Sequence, residues 1–224
     1  MPNSTEPLIA GQVPLHEIMA RLACERPVFH SEADLRLAFV RALWTLAPEI
    51  APRLEVGQHQ TGPVELLDLL CLGPLGTTAV EFKYFTARWT GTVADHGEQF
   101  ALRAHSSDDV ARQRYVSDIE RLERFCAPAH SRNGLALIVT NAATLWSPPL
   151  VRMQPTRDAE FRIHHGRSLS GTLLWGGGDY RANTRVLHGR YELHWRPYAQ
   201  LKGRNGELRY LVVEVTSGPA PQDP

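Results

Sequence analysis

Two carboxylates and an ammonium interrupt stretches that otherwise read as buried strands: Leu66-Leu67-Asp68-Leu69-Leu70 and Val80-Glu81-Phe82-Lys83. Side chains alternate across a strand, so Glu81 and Lys83 share one face while Val80, Phe82 and Tyr84 take the other. Pairing of the two stretches through Gly73-Pro74-Leu75-Gly76 sets Asp68 beside Glu81. Carboxylates that close repel one another unless a cation lies between them. A hard divalent ion is the expected occupant, and Mg²⁺, or Mn²⁺ in its place, commonly uses one or two carboxylates plus a substrate phosphate. Such an ion polarises a phosphoryl oxygen and lowers the pKa of a bound water. Lys83 is placed to orient that water or to stabilise charge building at phosphorus. The choice of lysine is informative, because Lys83 and Lys202 are the only lysines among 24 cationic side chains. A site that keeps lysine in an arginine-rich chain is one that needs a compact ammonium in place of a planar guanidinium.

These residues need elements to hold them. Residues 64–72 and 77–85 read as strong strands joined by the Gly73–Gly76 turn, with a weaker strand over 53–58. Ahead of them, Ser31 is placed to cap a helix and Asp34 to complete a capping box. Leu35, Ala38, Phe39, Ala42, Leu43 and Leu46 then recur at the helical period until Pro48. Running that stripe back one turn reaches Glu32, a candidate further ligand or holder of a metal-bound water, on a helix expected to pack on the Glu81–Lys83 face. An acid in a first helical turn is also favoured by the helix dipole alone. A second helix over 108–126 places Tyr115, Ile119, Leu122 and Cys126 on one face, and residues 134–140 read as a buried strand inside a sheet. Residues 189–199 and 207–216 alternate on either side of Gly203-Arg204-Asn205-Gly206, which predicts a hairpin. Residues 1–13 read as a loose leader before a helix over 14–25, and the last eight residues as a frayed tail.

Glu32 on the first core helix, Asp68 on the second core strand and Glu81-Phe82-Lys83 on the third together resemble the PD-(D/E)XK nuclease superfamily. The resemblance spans residues 28–141. The stretches Phe29-His30-Ser31-Glu32-Ala33-Asp34 and Asp118-Ile119-Glu120-Arg121-Leu122-Glu123 are similar to a bacterial branch of it. It implies an α/β fold with a restriction-endonuclease-like α-β-β-β-α-β core and a mixed sheet, extended by the C-terminal β-hairpin. It also implies metal binding by Asp68, Glu81 and the Phe82 carbonyl, water activation by Lys83, and Mg²⁺-dependent hydrolysis of DNA in preference to RNA. Leu67 stands where the name-giving motif has proline. The expected divisions are a leader and helix over 1–27, a nuclease-like core over 28–141, a β-rich extension of the same domain over 142–216 and a tail over 217–224.

Composition narrows the partners. With 24 acidic and 24 basic side chains the chain is formally neutral, so nucleic acid is not attracted by net charge. Contact needs a local patch, or a gripping surface supplied by a second copy or a partner protein. Arg112 is a candidate phosphate contact, although Arg112, Arg114, Arg121 and Arg124 stand among five acids and read as an ordinary charged helix face. Cys24, Cys71 and Cys126 lack CxxC spacing and read as buried free thiols of a reducing cytoplasm. No run approaches a membrane span. Trp89, Trp146, Trp175 and Trp195 offer stacking surfaces or serve the core. The 86–107 region reads as a β arm around Asp95-His96-Gly97-Glu98, a candidate clamp or dimer contact. Two classes of function remain open: a metal-dependent nuclease, or a nuclease-fold scaffold of little or no activity that acts with a partner. The plain structural alternative for the charges is a buried Asp68–Lys83 salt bridge with Glu81 at a solvated edge.

Overall fold

In the computed structural model, which describes residues 6–58, 64–93, 97–105, 107–127, 132–150 and 155–216, residues 6–14 are not a loose leader. Strand β1 (Leu8–Ile9) pairs antiparallel with β2 (Val13–Pro14). Ile9 and Ala10 are fully buried, and the Ala10 N–H donates to Thr78 Oγ1 at 2.7 Å. Apolar side chains hidden among polar and proline positions thus fasten this segment to the sheet. The tail expected over 217–224 lies outside the described residues.

Helix α1 (Leu15–Glu25) buries Leu15, Ile18, Met19 and Leu22, leaving Cys24 exposed off that stripe; Cys71 and Cys126 are buried as expected. Ser31 Oγ accepts from the Asp34 N–H at 3.2 Å to start α2 (Glu32–Leu46). The capping box does not close, because the Asp34 carboxylate accepts instead from the His30 N–H and from Arg26. The chain continues through β3 (Ala51–Gln58), β4 (Glu65–Gly73) and β5 (Gly76–Phe85). It then forms an antiparallel arm of β6 (Trp89–Val93) and β7 (Glu98–Leu102), and α3 (Asp108–Cys126). Asp95 and His96 lie outside the described residues. Strand β8 (Arg132–Thr140), short helix α4 (Ala143–Trp146), β9 (Ser168–Leu173), β10 (Arg185–Glu192), β11 (Arg196–Gln200) and β12 (Glu207–Thr216) complete the order.

The result is a mixed α/β fold. Six strands form one mixed sheet in the order β11-β12-β8-β5-β4-β3, with β5 and β8 parallel and the other neighbours antiparallel. The uninterrupted apolar run Leu135–Val139 is buried inside it, as a strand covered on both faces must be. One face of β5 packs Val80, Phe82 and Tyr84 against Leu35, Phe39 and Leu43 of α2. The other packs Ala79 toward Tyr115, Ile119 and Leu122 of α3. Helix α2 therefore lies on the face opposite Glu81 and Lys83, correcting the expectation that it shares theirs. Its apolar stripe finds the apolar side of β5, and α3 covers the charged side. No described helix is long and apolar enough to cross a membrane.

The alternating run at 189–199 divides between two sheets. Its first part falls in β10, which pairs with β9 in a separate two-stranded sheet, and only β11 forms the expected hairpin with β12. Between them Leu193 and Trp195 are buried, and the Trp195 indole donates to the Ile163 carbonyl at 2.6 Å. That anchor holds the chain where it changes sheets. Arg112 is similarly committed: it is 3% exposed, its guanidinium meets Asp158, and it donates to the Thr144 carbonyl at 2.8 Å. It ties α3 to the extension and offers nothing to a phosphate, because its charge is already neutralised by a buried acid. Arg112→Ala is expected to cost about 3–5 kcal/mol of stability by leaving Asp158 buried with a weakened partner set. Urea unfolding of that variant beside an Arg112→Met/Asp158→Leu double variant, expected to recover much of the loss, checks this.

Candidate active site

A fork in the sheet creates the site. The ladder between β4 and β5 ends at the Leu69–Val80 pair, although β4 stays with β3 as far as Glu65 and β5 stays with β8 as far as Phe85. The strand also turns over at this point: Leu69 joins the core under α2, whereas Leu67, two residues away, joins the core under α3. Opposite Asp68, Glu55 of β3 adopts the left-handed region (φ 52°) and leaves a break in the pairing between Leu54 and Val56. Beyond the fork the N–H groups of Phe82 and Tyr84 have no strand partner, and a buried backbone donor must find one. Two acids supply it. Asp68 Oδ2 accepts from Phe82 N–H at 2.8 Å, and Glu32 Oε2, reaching from the start of α2, accepts from Tyr84 N–H at 3.0 Å. This is the reason for an acid in the middle of the apolar β4 run.

The carbonyl of Phe82 faces the same gap and accepts from Lys83 Nζ at 3.0 Å. Lys83 pairs at 2.7 Å with Asp118 Oδ2 on α3, not with Asp68. Asp68 instead meets Arg36 of α2 at 3.3 Å. Glu81 is 1% exposed rather than at a solvated edge. Arg121 approaches its Oε1 at 2.9 Å and also reaches Asp118 Oδ1 at 3.4 Å, yet neither Glu81 oxygen receives a well-directed hydrogen bond. The predicted Asp68, Glu81, Lys83 and Glu32 are thus gathered along one stretch of β5. The sequence-based reading missed Asp118, Arg121 and Arg36 as their partners. Asp118 was detectable: it stands three residues after Tyr115 and four before Leu122, on the buried stripe of its helix.

Burial governs the charges. It pushes the Glu81 carboxyl up to about 8, with nearby Asp118 adding to the effect and Arg121 opposing it. Burial likewise raises Asp118 to about 6, against the pull of Lys83. For Lys83 burial works the other way, but Asp118, Glu32 and Asp68 outweigh it and hold the ammonium above its ordinary value. The pair is asymmetric because the Asp118 side chain is almost wholly enclosed while that of Lys83 is one-fifth exposed. Lys83 is therefore a fixed positive charge near neutrality, suited to holding a water or an anionic oxygen and unsuited to removing a proton.

Among the described residues no three His, Cys, Asp or Glu side chains converge as a metal-holding group. The fit to a divalent ion rests on a smaller donor set: Asp68, the Phe82 carbonyl and the two Glu81 oxygens that lack directed hydrogen bonds. Mg²⁺ commonly uses one or two carboxylates because it keeps several waters. Beside Lys83 opens a cleft of about 220 Å³, lined among others by Glu32, Tyr84, Phe85, His105, Val110 and Arg114. The four tryptophans considered as stacking surfaces are all buried, and Trp89 donates its indole N–H to the Lys202 carbonyl at 2.9 Å. Comparisons with protein-family models, curated proteins and solved structures find no match to this chain.

Proposed function

We propose that this chain is a divalent-metal-dependent phosphodiesterase that hydrolyses DNA, in preference to RNA, on a restriction-endonuclease-like α-β-β-β-α-β core. One observation carries the reading: the fork between β4 and β5 sets Asp68, the Phe82 carbonyl and the Lys83 ammonium in one gap, beside a buried Glu81 that lacks directed hydrogen bonds. Asp68, Glu81 and the Phe82 carbonyl are the residues that would hold Mg²⁺, or Mn²⁺ in its place. When bound, such an ion supplies a Lewis acid for a phosphoryl oxygen and a water of lowered pKa. Lys83, steered by the Phe82 carbonyl and Asp118, is placed to orient a water or to stabilise negative charge at the phosphoryl group without reorganising. Glu32 holds the strand end beside it through the Tyr84 N–H. The three free cysteines suit a cytoplasmic setting.

A second reading has its own observation. Each of Asp68, Glu81 and Lys83 already has an opposite charge beside it, in Arg36, Arg121 and Asp118. A chain with that self-neutralised network could be a nuclease-fold scaffold that acts through a partner protein or a second copy. Titration of Mg²⁺ and Mn²⁺ against plasmid DNA, single-stranded DNA and RNA separates the two. Metal-dependent cleavage that falls ~10²-fold or more in Asp68→Ala, with calorimetric Mn²⁺ binding lost in the same variant, is the expected result. Intact substrates at every metal concentration, with no heat of metal binding, would leave the scaffold reading standing.

A further inference from the structure

The arginines of α3 differ in one respect. Arg112 is bound to Asp158, Arg121 to Glu81 and Asp118, and Arg124 to Glu65. Arg114 is exposed, has no ion pair or side-chain hydrogen bond among the described residues, and lines the cleft that contains Lys83. In the same cleft, Phe85 and His105 stack with ring centroids 5.0 Å apart and planes 29° from parallel. His105 is held firmly: its backbone N–H donates to the Thr86 carbonyl at 2.9 Å, and its Nδ1 accepts from the Thr86 N–H at 2.9 Å. That contact places the ring proton on Nε2, which is left as a donor. His105 as a residue is exposed.

We propose that this cleft is a subsite for one unpaired nucleotide of a single-stranded substrate. The base lies on the Phe85–His105 pair, and Arg114 holds a phosphate next to the bond presented to Lys83. The proposal rests on the phosphodiesterase reading and adds the form of the substrate to it. An aromatic platform is useful only to a base with a free face, and in a duplex those faces are already stacked. A duplex-tracking surface needs several phosphate contacts, whereas this neutral chain brings one unpaired guanidinium to an aromatic-lined cleft of about 220 Å³. One stacked base with one held phosphate matches that inventory.

The test uses the full chain carrying Asp68→Ala, in chelator, so that binding is read apart from cleavage. Fluorescence anisotropy is measured with dye-labelled single-stranded DNA, single-stranded RNA and duplex DNA of one sequence. The expected result is tighter binding of single strands than of duplex, and the tighter of the two single strands identifies the source of the nucleotide. Adding His105→Ala should weaken single-strand binding roughly 5- to 150-fold, the range set by ~1–3 kcal/mol per stacked base. His105→Phe, which keeps a ring, should restore most of it. Arg114→Ala should weaken single strands and lower the salt slope of binding by about one. Duplex bound as tightly as single strands, or single-strand affinity unchanged in both His105→Ala and Arg114→Ala, would overturn the subsite. If metal-dependent cleavage by the unaltered chain persists in that case, only the subsite is lost. If no nucleic acid is bound or cut, the phosphodiesterase reading fails with it.

Discussion

Replacing Lys83 with methionine is expected to reduce metal-dependent cleavage ~10²- to 10³-fold, the loss typical when one preorganised charge-stabilising donor is removed from an active site. The same change also threatens the fold. Lys83 is the near partner of Asp118, 2.7 Å away, and the Asp118 side chain is only 3% exposed. Removing one member of such a pair leaves a buried charge uncompensated, at a cost of about 3–5 kcal/mol. Arg121, 3.4 Å from the other Asp118 oxygen, offsets part of this. An inactive Lys83→Met protein would therefore be ambiguous, and the informative comparison is the Lys83→Met/Asp118→Leu double variant. Exchanging both members of a buried pair for apolar residues of similar volume is often close to neutral, so its urea midpoint should return toward the parent. Its cleavage should not return, because the ammonium beside the Phe82 carbonyl is gone. Parent-level cleavage by either variant would remove Lys83 from the chemistry and leave it as one half of a structural ion pair.

The same pair shows what was legible in the sequence and what was not. Periodicity placed β4, β5, α2, α3 and β8 close to their observed bounds, because each has an apolar pattern that only one kind of element satisfies. Alternation put Glu81 and Lys83 on one face, and Arg121 and Asp118 meet them there. The fork was hidden because alternation presumes an unbroken ladder. The turnover at Asp68 depends on the left-handed Glu55 across the sheet, a conformation that no local pattern signals for a glutamate. The side of the sheet that α2 covers was misjudged for a related reason. Glu32 reaches the site through the gap the fork opens, with no need to stand on the Glu81 face. Counting charges along α3 made four arginines and five acids look like a solvated face. The buried stripe Tyr115-Asp118-Ile119-Leu122 shows that one of those acids points inward, and helical position was the better guide. Arg112 and Arg114 are separated for the same reason. The one nearer the inward side found a buried acid, and the outward one was left free at the cleft.

Without metal, the folded protein is expected to lose stability as the pH rises from about 5 to 8. Burial lifts the Glu81 carboxyl from 4.5 to about 8, and Asp118 moves from 3.8 to about 6 for the same reason. A carboxyl whose pKa is higher in the folded than in the unfolded chain binds more protons when folded across that interval, so unfolding free energy falls with rising pH. The contribution is complete below about 4.5 and is lost as the pH passes through the folded value. For Glu81 a shift of that size corresponds to on the order of 5 kcal/mol, comparable with the whole stability of many domains. Urea midpoints in chelator between pH 5 and 8.5 should show the decline. Glu81→Gln, uncharged and nearly the same shape, should flatten it and exceed the parent in stability at pH 8. Mg²⁺ should act in the opposite sense, since an ion favours the carboxylate. Its stabilising increment should grow with pH in the parent and be small in Glu81→Gln. A parent whose midpoint holds steady or rises toward pH 8 in chelator would mean that Arg121 alone satisfies an ionised Glu81. A scaffold needs that arrangement and a metal site does not, because an acid content beside a fixed guanidinium gains little from an added ion. A carboxyl that burial holds up to about 8 is expected to show the reverse property, losing its proton as a stronger cation arrives, and a falling midpoint in chelator that Mg²⁺ restores would assign it to Glu81.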